Sequence, residues 1–243
     1  MRRLLLATLL FAVGCGSGEK AMVVLSNVPT YSVALDLCDS CSYYVVVRGG
    51  GHMHFYEPTP RDQAMATSSC AFVRVKGLDE WARGWNGTGI SLPDPHFWLY
   101  REGVETVADS LSAALERCQS GKYDTTALGR FKDRVDSLFS SDLKGRVCAS
   151  SFAVSRFLSS LGLEVPCVLQ SEEFREPSPA EVEKFLRDAR EVGVVVRDTA
   201  DVLPRTPKGI KIVVLNIHPK YGERYTEFLK RNVSRLRAAL SGH

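Results

Sequence analysis

Five histidines make up this chain's imidazole complement, and four of them fall in loops: His52, His54, His96 and His218. His52 and His54 follow Gly49-Gly50-Gly51, just past the β-branched and aromatic run Tyr43 to Val47. His96 follows Pro93-Asp94-Pro95, and His218 comes three residues after a run ending at Leu215; the fifth, His243, is terminal. Neutral imidazole suits zinc and related transition metals. A lone loop histidine is usually only a polar surface residue, but four at comparable places are the makings of a shared site. No HExxH pair on a helix is present, so the ligands would have to converge from separate loops. Nucleophilic chemistry has less to work with. Ser150-Ser151 has no marked base, and there is no GxSxG elbow, no phosphate loop and no GxGxxG after a strand.

The cysteines carry a second message. Cys15 follows Met1-Arg2-Arg3, an apolar run from Leu4 to Phe11 and Ala12-Val13-Gly14. Two arginines, a short apolar segment and small residues before a cysteine describe a secretory signal, and the run is too short for a comfortable membrane span. The arrangement resembles a bacterial lipobox. That resemblance implies a signal peptide over residues 1–14, cleavage before Cys15, lipid on Cys15, and a tether over residues 15–20. Export permits disulfides among Cys38, Cys41, Cys70, Cys118, Cys148 and Cys167, with pairing left open. Cys38-Asp39-Ser40-Cys41 reads as a local disulfide or two inert thiols ahead of a redox pair or half a zinc site, since no second CxxC exists.

Composition narrows the partners. A formal net charge of +3, from 31 basic and 28 acidic residues, with no long basic stripe, gives no indication of nucleic acid. Hydrophobic content of 44% is enough for an ordinary globular core.

These loops must be held by something, and the patterning says what. Ala21 to Leu25, Tyr43 to Val47 and Ala71 to Val75 read as strands, with helices over Pro29 to Leu37, Thr59 to Ser68 and Gly103 to Cys118. A second alternating unit follows. Arg146 to Ala149, Val165 to Leu169, Val192 to Val196 and Ile212 to Leu215 read as strands, and Phe152 to Leu161, Ser178 to Glu191 and Tyr225 to Leu240 as helices. Between the units, Leu128, Phe131, Val135, Leu138 and Phe139 recur at helical spacing within Thr125 to Leu143. The expected fold is α/β: two lobes with parallel sheets joined by a long linking helix, with a cleft between them. The expected boundaries are 21–122, 123–144 and 145–243. In open parallel sheets ligands bind beyond the carboxyl ends of the strands, and four of the five histidines are expected there.

Several segments together carry a family likeness. Gly51-His52-Met53-His54-Phe55-Tyr56-Glu57-Pro58-Thr59-Pro60 resembles the PHxYEPTP segment of the zinc- and manganese-binding solute receptors of ABC importers. Asp94-Pro95-His96-Phe97-Trp98-Leu99 resembles their DPHxWL segment, Lys76 to Trp81 their NGLGLExW stretch, and Glu176-Pro177-Ser178-Pro179-Ala180-Glu181 their EPSP helix start. The likeness runs in family order from about Val23 to Leu240. It implies a buried metal site between the lobes, made by two side chains from each. His54 matches the first of these and His96 the second. Ser151 stands where the family has a histidine or glutamate, and Asn216 where it has an aspartate. A hydroxyl and a neutral amide replace them poorly. His218 and His52 are the expected substitutes, with Glu172, Glu173 or Asp198 as carboxylate alternatives. The family's acidic, histidine-rich loop is absent, and only about ten residues, Pro204 and Pro207 among them, separate Thr199 from Lys211.

The sequence therefore predicts a non-enzymatic, lipid-anchored receptor, periplasmic or on the cell surface. It would take up a divalent metal through His54, His96, His218 and His52 and pass it to an ABC importer permease. An imidazole-rich shell favours zinc over manganese. The alternative is an interaction or redox lipoprotein on the same scaffold without tight metal binding.

Overall fold

The computed structural model describes residues 22–49, 56–171, 175–203 and 209–241. Val23–Asn27 (β1), Tyr43–Val47 (β2), Ala71–Val75 (β3) and Thr88–Ile90 (β4) form one parallel sheet in the order β2-β1-β3-β4. Cys148–Ser151 (β5), Val168–Gln170 (β6), Val194–Asp198 (β7) and Lys211–Leu215 (β8) form a second, in the order β6-β5-β7-β8. The two-lobed α/β architecture expected from the patterning is thus present, and both lobes use the same strand order. β1, with every residue buried, pairs on both sides and reads as the continuous apolar run of a doubly covered strand.

Helices cover the sheets: Val28–Leu37 (α1), Pro60–Ser68 (α2), Arg101–Gln119 (α3), Ala127–Phe139 (α4), Phe152–Ser160 (α5), Pro179–Val192 (α6) and Tyr225–Leu240 (α7). Their starts are written in local chemistry. Thr59 and Ser178 each form a capping box with the carboxylate three residues on, Asp62 and Glu181, and a proline opens each helix. α6 stops at Gly193, whose φ of 80° is costly for any residue with a Cβ. The apolar stripe of α3, Val104, Val107, Leu111 and Leu115, is fully buried.

Several bounds differ from the sequence reading. The helix between the lobes is Ala127–Phe139, shorter than Thr125 to Leu143. The Asp124 carboxylate turns the chain at Thr126, accepting from its N–H and hydroxyl, so the helix begins later. It ends at Ser140, while Leu143 stays buried without being helical. β4 was not anticipated; three residues are too few for a periodic signal. In the second lobe, Arg146 makes only an isolated bridge to Glu164, and β5 starts at Cys148.

All six described cysteines pair: Cys38–Cys41, Cys70–Cys118 and Cys148–Cys167. The CxxC is the expected local disulfide, between α1 and β2 at the amino edge of the first sheet. The other two tie β3 to the end of α3 and β5 to the start of β6.

The 3-10 turn Phe97–Leu99 is bonded to second-lobe residues. Trp98 is fully buried; its indole N–H donates to the Ile217 carbonyl (2.9 Å), and its own carbonyl accepts from the Tyr225 hydroxyl (2.9 Å). The Ser160 hydroxyl donates to the Leu99 carbonyl (2.8 Å). On the opposite side α7 returns to the first lobe, where Asp36 accepts from the Thr226 N–H and hydroxyl.

Candidate metal site between the lobes

His96 stands immediately before the Trp98 turn, and its orientation is set locally. Asp94 Oδ1 accepts from the His96 backbone N–H (2.9 Å) and lies 3.0 Å from His96 Nδ1. Asp94 is itself held: Arg156 of α5 pairs with its other oxygen at 3.0 Å, and the Tyr100 hydroxyl donates to its carbonyl. A carboxylate on Nδ1 fixes the tautomer that presents Nε2 as electron-pair donor, the usual outer partner of a metal-binding histidine.

His218 reaches the same place from the other lobe, on the turn after β8. Asn216 Oδ1 accepts from its backbone N–H (3.1 Å), and the Asn216 carbonyl accepts from Asn232 on α7, so the amide shapes the turn. The His218 ring lies 5.5 Å from the Trp98 ring, and the His96 ring lies 5.3 Å from the same indole. His218 Nδ1 is buried with no hydrogen-bond partner. Burial lowers the His218 pKa, opposed by Asp198 and Asp201 and reinforced by His96. The ring is therefore held neutral, the form that binds metals.

The remaining second-lobe candidates divide clearly. Asp198, at the end of β7, is buried, and both its oxygens are engaged: Ile217 N–H donates to one (2.9 Å) and Ala200 N–H to the other (3.2 Å). It locks β7 to the segment after β8. Ser151 stands at the N-cap position of α5 without capping it, and its hydroxyl instead donates to Asp201 Oδ2 at 3.0 Å. The Ser150 hydroxyl donates to the same oxygen, and the Asp198 N–H approaches it at 3.3 Å. His52, His54, Glu172 and Glu173 lie outside the described residues, as does Cys15. Among the described residues no three His, Cys, Asp or Glu side chains stand together as an ion cage. A cleft of about 340 Å³ opens beside His218, bounded by Val28, Arg48, Asn216 and Tyr221.

Two residues were missed by sequence reasoning. Asp94, two before His96, could have been noticed as its orienting partner from spacing alone. Asp201 could not, because its role depends on a contact across fifty residues of chain.

No family model matches this chain, and no curated protein matches it. Solved structures do. The SBP FpvC of Pseudomonas aeruginosa, solved with Ni2+, superposes with a TM-score of 0.68 at 20% identity, over 92% of this chain and 97% of that one. The AdcAII protein of Streptococcus pneumoniae gives 0.71 at 19% identity over 92% and 100%. The Cd-bound periplasmic metal binding protein of candidatus liberibacter asiaticus gives 0.66 at 11% over 90% and 99%. This is the fold of the metal solute-binding proteins. The superpositions cover nearly the whole of both chains. His96 and His218 each lie against the Trp98 ring, and the CxxC disulfide lies at the far edge of the first sheet.

Proposed function

We propose that the protein is an extracytoplasmic solute receptor that captures a divalent transition metal between its lobes and delivers it to an ABC importer permease. The observation that carries this reading is the pair of imidazoles on Trp98. One is oriented through Asp94; the other is neutral and buried, with an unpartnered nitrogen. A buried polar atom without a partner costs free energy, so it is retained where a ligand supplies the partner. His54 and His52 are proposed as the first-lobe ligands that join His96. A shell so rich in imidazole favours zinc over manganese. Cys15 is proposed to carry the lipid that holds the receptor at the membrane, outside the cytoplasm; among the described residues no helix is long and apolar enough to cross one. The role is binding rather than catalysis.

Metal analysis of protein purified without chelator, followed by calorimetry of the stripped protein, tests this. Zinc should bind in equimolar amount with sub-micromolar affinity. Absence of zinc and manganese binding at micromolar concentrations would sink the receptor reading. It would leave the interaction lipoprotein, which the loss of ligands at Ser151 and Asn216 favours. Anchoring is tested separately: Cys15→Ser should leave the membrane fraction.

A further inference from the structure

In each sheet the strand order reverses beside the first strand of its lobe, between β1 and β3 in one and between β5 and β7 in the other. Such switch points are where open α/β sheets bind ligands. In the first lobe the place is sealed. Asp79 is fully buried and accepts from Ser26 and Asn27 at the end of β1 and from the Val75 N–H at the end of β3. In the second lobe a cavity of about 670 Å³ opens there, between the carboxyl ends of β5 and β6, the turn after β7 and the start of α6. Among the described residues it shares only Ala200 with the cleft beside His218.

The two helix starts show the same contrast. Glu57-Pro58-Thr59-Pro60-Arg61-Asp62 opens α2, and Glu176-Pro177-Ser178-Pro179-Ala180-Glu181 opens α6. On α2 the hydroxyls of Tyr44 and Tyr56 donate to the capping acid, Asp62. On α6 the capping acid, Glu181, pairs instead with Arg175, and no aromatic side chain of the described residues lines the cavity. Pro179, Val182, Glu183 and Leu186 recur at i, i+3, i+4 and i+7, so one face of α6 meets the cavity. Leu169 of β6 adds to this aliphatic floor.

The charged groups around that floor have one sign. Glu176, Glu183 and Asp201 line the cavity, and no basic side chain of the described residues does. Glu176 and Glu183 make no ion pair or hydrogen bond among those residues. Asp201 takes the Ser150 and Ser151 hydroxyls on Oδ2, which leaves Oδ1 with no donor among them. Carboxylates over a hydrocarbon floor select a cation with a hydrocarbon body. They hold N–H donors by charge-assisted hydrogen bonds, whereas quaternary ammonium groups are held by aromatic rings, which are missing here. The volume is that of a small-molecule site, roughly 300–1,000 Å³.

We propose that this cavity is a second binding site, for an aliphatic di- or polyamine. Its primary or secondary ammonium groups meet Glu176, Glu183 and Asp201, and its methylenes lie on Leu169, Val182 and Leu186. The site goes beyond metal capture and uses none of the histidines.

Calorimetry at low salt with spermidine and 1,6-diaminohexane tests this. Both amines should bind in equimolar amount. 1,6-Hexanediol lacks the charge, choline lacks the N–H donors, and Mg2+ lacks the hydrocarbon; each should bind at least about tenfold more weakly. Ethylenediamine, with little hydrocarbon, should fall below 1,6-diaminohexane. The double variant Glu176→Gln, Glu183→Gln changes two exposed side chains. It should weaken spermidine about tenfold, within reach of two solvent-facing ion pairs, while zinc affinity stays within about twofold. Amide shifts of the wild type on adding spermidine should gather at Gln170, Val182, Glu183 and Val202. Mg2+ binding as tightly as spermidine would reduce the cavity to an acidic surface and overturn the proposal. So would an unchanged spermidine affinity in the double variant, amide shifts away from α6 and these strand ends, or no amine binding by folded wild type.

Discussion

The two lobes have the same strand order and differ at their carboxyl edges. In the first, the switch-point aspartate, Asp79, is sealed in and serves the fold, while His96 on a neighbouring loop is aimed by Asp94. In the second, the sealed aspartate is Asp198, which joins β7 to the segment after β8, and the switch-point carboxylate, Asp201, is half-buried beside a cavity lined by α6. Strand order follows from burying two apolar faces under helices, which constrains the whole lobe. A ligand position at a strand end is constrained only by reach, so it can move to a neighbouring turn while the lobe stays as it is.

The contrast can be broken most severely at the join. Trp98→Ala should cost about 3–5 kcal/mol, because it empties a fully buried site and removes the indole bond to Ile217. Denaturant unfolding would measure this. Cooperativity should also fall, since the lobes lose their shared side chain; a single sharp transition at wild-type stability would contradict the wedge role.

The staples come next. In the chain-entropy description, opening Cys70–Cys118 should cost about 4 kcal/mol, Cys148–Cys167 about 3, and Cys38–Cys41 about 2, following sequence separations of 48, 19 and 3. Thermal unfolding of the three paired Cys→Ser variants gives the order. Metal affinity should be unchanged in the Cys38→Ser, Cys41→Ser variant, which lies at the edge opposite the cleft; loss of binding in a folded variant would bring the CxxC into the site.

Asp79 provides a pH signature that sharpens the comparison. Burial, only partly offset by Ser26, Val75 and Asn27, raises its pKa from 3.8 to about 6. The folded state therefore holds the proton more tightly than the unfolded chain. This contribution to stability is complete below about pH 4 and is lost as pH rises through about 6, to the extent of roughly 3 kcal/mol. Urea unfolding between pH 4 and 7 should show that decline in wild type and lack it in Asp79→Asn. The same decline in both proteins would point to another group.

The test on the histidines decides most about function. Two first-lobe imidazoles leave tetrahedral zinc half coordinated, so His218→Ala should raise the zinc Kd by about 100-fold, about 2.7 kcal/mol. His96→Ala should do at least as much. An unchanged Kd in His218→Ala would mean a one-sided site held by the first lobe alone.

Local patterning was sufficient for most of the elements. β-branched runs announced β2 and β7, prolines announced α2 and α6, and the period of Val104, Val107, Leu111 and Leu115 announced α3. These signals are legible because each is satisfied within one turn or one strand. The alternation of strands and helices determined a two-lobed α/β chain, and the loop histidines, with the DPHxWL-like segment, marked where a site would be sought. Tertiary structure decided what depends on residues far apart in the chain. It decided that His96 and His218 both pack on Trp98, that Asp198 is spent on backbone N–H groups, and that Asp201 rests on Ser150 and Ser151. A side chain's partners across a sheet edge are fixed by strand order and register, and no spacing along the chain encodes them.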